Sequence, residues 1–102
     1  MRKLRRRYVL FRLHREGPAI DVHQLSAAIR KNFLSLFGEV SVADSRLFIG
    51  MYNDDEDTGI LQCNAESLDK LLASAALITA IGNTQVSFEP KRASGTLKGL
   101  QR

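Results

Sequence analysis

The sequence has little of what marks secreted or membrane proteins. It contains no tryptophan and one cysteine, Cys63. Because a lone cysteine cannot form an internal disulfide, a disulfide-rich scaffold is excluded and a reducing, cytoplasmic setting is expected. The most apolar uncharged stretch, residues 71–81, is well short of the ~20 residues of a transmembrane helix, so we expect no membrane partner. The apolar run at residues 8–11 is too short for a secretory signal.

Acidic residues are missing from both ends of the chain. Residues 1–15 carry a formal charge of +7 and residues 91–102 carry +4, whereas residues 16–90 hold all eleven acids and sum to −7. The net charge of +4 therefore conceals an acidic body with two basic ends. Blocks of one sign are typical of arms that bind polyanions, with a solvated tail as the alternative.

The size and composition predict one globular domain. The chain has 102 residues, of which 44% are apolar and 25% charged, and both values are ordinary for a small globular protein. We expect a single domain over residues 1–102, in which residues 1–6 form a basic arm and residues 91–102 a basic tail.

Periodicity predicts six elements in the order β–α–β–β–α–β. The first helix has the clearest signals, because Asp21 and Gln24 have the spacing of a capping box and Gly38 stands where a C-cap glycine is common. The other predicted elements are a strand at 7–13, a strand region from about 40 that is strongest at 47–52, a strand at 58–63, a helix at 65–81, a strand at 85–89 that Pro90 closes, and an irregular tail.

This order predicts an α+β fold of the ferredoxin-like, RNA-recognition-like class. Its sheet is of antiparallel type with strand order 4-1-3-2, and both helices cover one face. In that topology the chain enters strand one and leaves strand four at the same edge of the sheet. We therefore expect the two basic ends of the chain to meet in one patch.

The other face of the sheet, which we call the open face, is predicted to be covered by something other than the helices. Strand one places apolar side chains on both faces, and residues 47–52 are nearly all apolar. Strands that are apolar on both faces are normally covered on both. A partner protein, a second copy of the chain or stacked bases are the alternatives. The residues predicted to face the partner are Tyr8, Leu10, Phe48 and Tyr52.

No pattern in the sequence indicates a protein catalytic site or a metal site. His14 and His23 have no carboxylate or serine at a suggestive spacing. The acidic run at 53–57 fails the spacing of a calcium loop, because Asn64 stands where the final glutamate is needed, and a solvated turn is favoured. Residues 59–63 lack the glycine–aromatic signature of RNA-recognition strands, so we do not expect bases to stack there.

Four short segments, in order along nearly the whole chain, carry a family resemblance. They read RRYVLF (residues 6–11), LFGE (36–39), GILQC (59–63) and SGTLK (94–98). Together they resemble the ribonuclease P protein component 2 family, and the Ser-Gly-Thr segment after strand four is the most specific part. One departure is Gln62, where the family often has an arginine.

The resemblance implies a protein subunit of ribonuclease P, which removes the 5′ leader from precursor tRNA. It implies that the RNA subunit is the catalyst and holds the magnesium, so that the chain binds no cofactor and is part of an enzyme only within the complex. The implied partners are ribonuclease P RNA, precursor tRNA through the complex, the protein component 3, and a possible second copy of the chain.

The residues expected to bind RNA combine the basic ends with the Ser-Gly-Thr segment. Arginine donates two hydrogen bonds to a phosphate at once, hydroxyl groups add further donors, and glycine allows close approach of the backbone. A stand-alone RNA-recognition module and a ligand-binding dimeric regulatory domain on the same fold stay open as alternatives. The candidate set is Arg5, Arg6, Arg7, Arg12, Lys91, Arg92, Ser94, Gly95, Thr96 and Lys98.

Overall fold

The computed structural model describes residues 5–100, and its strands form one antiparallel sheet. The sheet order is β2-β3-β1-β5-β4, so the predicted ferredoxin-like fold and its four-strand order are confirmed, with β5 as the predicted strand four and β4 added at one edge. The elements are β1 (Arg6–Glu16), α1 (Val22–Phe37), α2 (Glu39–Ser45), β2 (Phe48–Asn53), β3 (Thr58–Asn64), a 3₁₀ turn (Ala65–Ser67), α3 (Leu68–Ala76), β4 (Ala80–Ile81), β5 (Thr84–Ser94) and α4 (Leu97–Leu100).

The core lies between the sheet and the helices α1 and α3. Alternation along β1 points Val9, Phe11 and Leu13 into this core, as predicted, and each is at most 1% exposed. Leucine, isoleucine and phenylalanine from one face of α1 and one face of α3 complete it. Among the described residues, no helix combines the length and the apolar character needed to cross a membrane.

The predicted capping box at the start of α1 is confirmed. The Asp21 carboxylate accepts hydrogen bonds from the backbone N–H of His23 at 2.6 Å and of Gln24 at 3.0 Å. The Gln24 side chain in turn accepts from the Asp21 N–H at 3.1 Å. These contacts satisfy donors that the helix itself leaves unpaired. At the other end, Gly38 has φ +87°, where a side chain would be strained, and its N–H donates to Leu34 at 2.9 Å.

Replacing Asp21 by alanine should lower the free energy of unfolding by about 0.5–2 kcal/mol, because two helix N–H groups lose their acceptor. Urea denaturation followed by circular dichroism measures the change. Asp55→Ala is the matched control, since its carboxylate makes no hydrogen bond within the described structure, and it should shift stability by less than about 0.5 kcal/mol. Equal effects of the two substitutions would contradict the capping role.

The predicted second strand region is confirmed at its strongest part, as β2, but its start near residue 40 is wrong, because residues 39–45 form the helix α2. Gly38 is the C-cap of α1 and the N-cap of α2, so the second helix follows the first directly. In the sequence, two β-branched valines nearby favour a strand and so hide this short helix. Val42 packs against the core and Ser45 is buried three residues later, so the helical period places both on the same face. Arg46 ends α2 in the left-handed conformation, with φ +51°.

The second predicted helix, at 65–81, is too long. α3 ends at Ala76, and residues 80–81 form β4, a short strand paired with the start of β5. Ile78 and Ile81 are buried, as the predicted helix requires, but Ile78 lies in the loop after α3 and Ile81 in β4. Gly82, at φ +59°, lies in the tight turn that connects Ile81 to its partner Thr84. The helical spacing of the two isoleucines was therefore coincidental.

The predicted end of the last strand at Pro90 is also wrong. β5 continues to Ser94, and the register with β1 shifts so that Phe11 pairs with Pro90 and Leu10 with Arg92. This bulge absorbs the proline, which has no N–H to donate to the ladder. The residues predicted as an irregular tail contain the end of β5 and the short helix α4.

Candidate nucleic-acid interface

The antiparallel pairing of β1 with β5 brings the two basic ends of the chain together. Tyr8 pairs with Ser94 and Leu10 with Arg92, so the start of β1 lies beside the end of β5. The approach is close, because a Cβ atom on Gly95 would lie 3.2 Å from Nη1 of Arg7. We call the two segments, residues 5–8 and 92–98, the basic corner. The predicted meeting of the ends is confirmed for the described residues, while residues 1–4 and 101–102 lie outside them.

Three consecutive arginines form the centre of the basic corner. Arg5 and Arg6 are exposed, and Arg7 is half-buried. The backbone fixes the segment, since the Arg5 carbonyl accepts from the N–H of Ala65 at 2.8 Å. Nη1 of Arg7 donates to the Arg6 carbonyl at 3.1 Å, which holds its guanidinium against the strand. The arginines are therefore carried on an ordered strand end, with most of their donors turned to solvent.

Arg12 and Lys91, two other predicted RNA ligands, lie further along the sheet. Arg12 is exposed and its cross-strand partner on β5 is Glu89. The Glu89 carboxylate contacts the His14 ring nitrogen at 2.6 Å and Nζ of Lys91 at 3.2 Å. The hydrogen bond with His14 and, to a smaller extent, the one with Lys91 lower the pKa of Glu89. An ionised acid therefore lies beside these cations, and part of their charge is compensated locally.

The Ser-Gly-Thr segment is a tight turn that starts α4. The Ser94 hydroxyl oxygen accepts from the N–H of Thr96 at 3.2 Å, and the Thr96 hydroxyl oxygen accepts from the N–H of Gly99 at 3.0 Å. The Ser94 oxygen closes the turn and the Thr96 oxygen caps the start of α4, while each O–H hydrogen stays available as a donor. Lys98 is exposed on α4. The turn thus holds the end of the chain against the arginines.

α4 covers part of the open face. Arg92 pairs with Leu10 and so shares its face, and Nη1 of Arg92 donates to the Leu100 carbonyl at 3.2 Å. Leu100 is 5% exposed although it is outside the core cluster between sheet and helices. Beyond α4, Phe48 and Met51 stay 57% and 68% exposed. The chain therefore covers the part of this face beside Arg92 and leaves an apolar surface uncovered near β2.

Tyr52 does not lie on the open face, so its prediction as a partner-facing residue is wrong. The register of β2 shifts after Gly50, and Met51 adopts φ +50°. This bulge turns Met51 outward and Tyr52 toward the core, where its ring lies 6.3 Å from that of Phe11. Its hydroxyl donates to the Ile20 carbonyl at 2.7 Å, and burial together with nearby aspartates raises the pKa of Tyr52.

The acidic turn between β2 and β3 lies at the opposite end of β1 from the basic corner. Nε of Arg15 donates to the Asp57 carboxylate at 2.7 Å, and the Leu13 N–H donates to the Asp57 carbonyl at 2.7 Å. The Asn53 side chain accepts from two backbone N–H groups of the turn, as a turn-forming asparagine does. At about 3.3 Å per strand residue, roughly 30 Å separates Arg6 from Arg15. The turn therefore adds negative charge well away from the corner.

Comparison with known proteins identifies the family. A family model described as the Rpp14/Pop5 family matches residues 7–102. The chain belongs to this family. Ribonuclease P protein component 2 of Archaeoglobus fulgidus is 36% identical over 98 residues, which cover 96% of this chain and 86% of that protein. The protein of the same name from Aeropyrum pernix is 33% identical over 102 residues, with 99% and 83% covered.

A solved structure has the same fold as this member of the Rpp14/Pop5 family. A chain in the cryo-EM structure of yeast Ribonuclease MRP superposes with a TM-score of 0.73 at 11% identity, covering 95% of this chain and 79% of that one. This likeness shows the fold. The resemblance carried by the four sequence segments is confirmed by the family match.

Gln62, the departure from the family resemblance, lies on the open face at the basic corner. It pairs with Tyr8 on one side and with Phe48 on the other. Nη1 of Arg6 donates to its Oε1 at 3.1 Å. In this family member, a guanidinium from the neighbouring strand therefore reaches the position where the resemblance expects an arginine. No local pattern in the sequence indicates this contact, because it joins residues 56 positions apart.

Two further polar residues near the corner were not predicted as functional. Asn64 is 7% exposed and is the cross-strand partner of Arg6. Arg46 follows α2 in its left-handed conformation and is exposed. Neither has a sequence signal, since a single asparagine and a single arginine are common in any chain. The two residues come close together only because α2 packs beside the end of β3.

Cys63 is a buried core residue, as predicted from its strand. It is 2% exposed, and burial raises the pKa of its thiol to about 11 despite the charge of Arg7 nearby. At pH 8 the thiolate should therefore be about 100-fold rarer than for a thiol of pKa 9. We expect Ellman's reagent to react at least ~100-fold more slowly with Cys63 in the folded protein than in the same protein unfolded in urea. Comparable rates would show that the end of β3 opens readily.

Proposed function

We propose that this chain is a protein subunit of ribonuclease P, which supports a catalytic RNA in removing the 5′ leader from precursor tRNA. Its membership of the Rpp14/Pop5 family and its relatives named Ribonuclease P protein component 2 support the assignment. The observation that carries the mechanism is the pairing of Tyr8 with Ser94, because it joins two basic ends of the chain into one surface. Within the complex, the chain binds RNA and neutralises phosphates.

The basic corner suits this role for an electrostatic reason. Docking precursor tRNA on a catalytic RNA crowds two polyanions together, and fixed cations between them reduce the repulsion. Each phosphate neutralised on a duplex contributes about −0.9 to the slope of log affinity against log salt. Roughly five contacts, from the arginines and the lysine of the corner, would make binding steeply salt-dependent. We assign bond cleavage and the magnesium ions to the RNA, and binding to this chain.

We further propose that the uncovered part of the open face binds a protein partner, the component 3 implied by the family resemblance. Phe48 and Met51 are the large apolar side chains exposed there, and Tyr8 and Leu10 are half-buried on the same face. Exposed apolar side chains grouped on one face are typical of protein interfaces. The partner would then sit beside the basic corner, so that both proteins contact neighbouring parts of the RNA.

Replacing Phe48 by glutamate should weaken binding of component 3 at least tenfold, because a charge would be buried in an apolar contact. Isothermal titration calorimetry measures the affinity. Val40→Glu is the matched control, since Val40 is 74% exposed on α2, away from the open face. An unchanged affinity for the Phe48 variant would place the partner elsewhere. A loss of self-association instead would assign this face to a second copy of the chain.

Reconstitution tests the proposed function as a whole. The cognate ribonuclease P RNA is assembled with its other protein subunits, with and without this chain, and cleavage of precursor tRNA is followed across a magnesium series. We expect the chain to lower the magnesium concentration needed for cleavage. Cleavage that is equally fast at every magnesium concentration without the chain would contradict the proposal. Tighter binding of an unstructured oligomer than of ribonuclease P RNA would favour a stand-alone RNA-recognition module.

A further inference from the structure

A cavity of about 330 Å³ lies beside the basic corner, between the end of α2 and the turn that follows β3. The strand pairing of Arg6 with Asn64 and the hydrogen bond from Ala65 to the Arg5 carbonyl place the cavity next to the backbone of Arg5 and Arg6. The residues that line it come from these two segments: Ala43, Asp44, Arg46, Asn64, Glu66 and Ser67.

One buried acceptor in the wall of this cavity has no partner. Asn64 is 93% buried, and its Nδ2 donates to the Asp44 carbonyl, which fixes the orientation of the amide. Its Oδ1 is buried and accepts no hydrogen bond within the described structure. A buried acceptor without a donor is destabilising and is rare in native proteins. Oδ1 therefore calls for a donor from outside residues 5–100.

A cation stands at the rim of the same cavity. Arg46 is exposed, and within residues 5–100 its guanidinium makes no hydrogen bond or ion pair. Its left-handed backbone, with φ +51°, is unusual for a residue with a side chain. The lining also holds two acids, Asp44 and Glu66, of which Glu66 already has an interaction partner.

We propose that this cavity binds a ribonucleotide of an RNA backbone, with the ribose 2′-hydroxyl donating to Oδ1 of Asn64 and the adjoining phosphate contacting Arg46. The 2′-hydroxyl is the donor that lies nearest to a phosphate in RNA and is missing from DNA. A phosphate alone would leave Oδ1 without a donor. A cationic side chain from a partner protein could donate to Oδ1, but the charge of Arg46 would repel it. The inference rests on the proposed RNA-binding function and deepens it, because it makes this end of the molecule selective for RNA.

Fluorescence anisotropy with two matched probes tests the inference on the full chain. The probes are a labelled hairpin RNA and the same hairpin with 2′-fluoro groups, which keep the A-form shape but cannot donate a hydrogen bond. We expect the wild type to bind the RNA about 3- to 10-fold more tightly than the 2′-fluoro probe, as for one hydrogen bond. Asn64→Ala should abolish that preference. Arg46→Gln should weaken binding of both probes, whereas Lys31→Gln, an exposed cation on α1, should leave both unchanged.

The outcomes separate this inference from the proposed function. Equal affinity of the wild type for the two probes, or a preference that persists in Asn64→Ala, would overturn the ribose contact and leave RNA binding intact. Failure to bind either probe would overturn both. If Asn64→Ala does not fold, the side-chain amide signals of Asn64 in the wild type decide by NMR. They should shift with RNA and not with the 2′-fluoro probe, and the absence of a shift would mean that buried water satisfies Oδ1.

Discussion

Replacing Arg5, Arg6 and Arg7 together by glutamine should lower the affinity for ribonuclease P RNA about 100-fold at physiological salt. Three phosphate contacts would be lost, each worth about 0.9 in the slope of log affinity against log salt, so the slope should fall by about 2.7. Filter binding across a sodium chloride series measures both quantities. The effect should be large because these side chains lie at an ordered strand end, with most of their donors facing solvent.

The matched control is the variant with lysine at the same three positions. Lysine keeps the charge but not the planar fork of donors, so the salt slope should be retained while the affinity falls modestly. If the glutamine variant kept the salt slope of the wild type, the corner would not contact phosphates. If the lysine variant behaved like the glutamine variant, geometry rather than charge would govern the contact.

Replacing Phe11 by alanine should lower the free energy of unfolding by about 3–5 kcal/mol. Phe11 is fully buried, and its ring lies 4.7 Å from that of Phe88, centroid to centroid. Gly59 leaves the space for this ring, because a Cβ there would lie 2.9 Å from Cζ of Phe11. The cavity left by the substitution is walled by rigid strands and cannot collapse easily. A loss of this size is a large fraction of the ~5–15 kcal/mol that typically stabilises a domain.

Phe48→Ala is the control with the same chemical change on the open face. Phe48 is 57% exposed, so the substitution should shift the free energy of unfolding by about 0.5 kcal/mol or less in the isolated chain. Chemical denaturation of both variants under one set of conditions gives the comparison. A large effect at Phe48 would indicate that the open face is covered in solution, for example in a dimer, and the midpoint would then depend on protein concentration.

The parts of the fold that the sequence predicted well are those set by local signals or by strict alternation. Asp21 and Gln24 fixed the start of α1, and the alternation of Val9 and Phe11 fixed which side of β1 is buried. The order of elements then selected the sheet topology. The meeting of the basic ends followed from that topology, although no local pattern contains it.

The errors arose where a local irregularity changed what a pattern means. The bulge at Met51 shifted the alternation of β2 after Gly50, so Tyr52 was assigned to the wrong side. The bulge beside Pro90 let β5 pass a residue that ordinarily ends a strand. Bulges depend on how two strands pair, and a single sequence does not display that pairing.

The charge of the candidate site could be predicted from the sequence, whereas the contacts of its individual side chains could not. Charge segregation pointed to the arginines, whereas the orphan acceptor of Asn64 depends on an amide held by the Asp44 carbonyl from another element. No composition or spacing rule reports an unsatisfied buried atom. The contact between Arg6 and Gln62 has the same character, since it joins neighbouring strands that are distant in the chain.

The separation of the acidic turn from the basic corner, at the two ends of β1, gives the molecule a permanent electric dipole along its strands. In the field of a polyanion such a body rotates before it touches, with its arginines leading and its acidic turn trailing. Productive collisions with RNA should therefore outnumber those expected for a randomly oriented particle of the same net charge. The association rate constant should consequently fall with added salt more steeply than the dissociation rate constant rises.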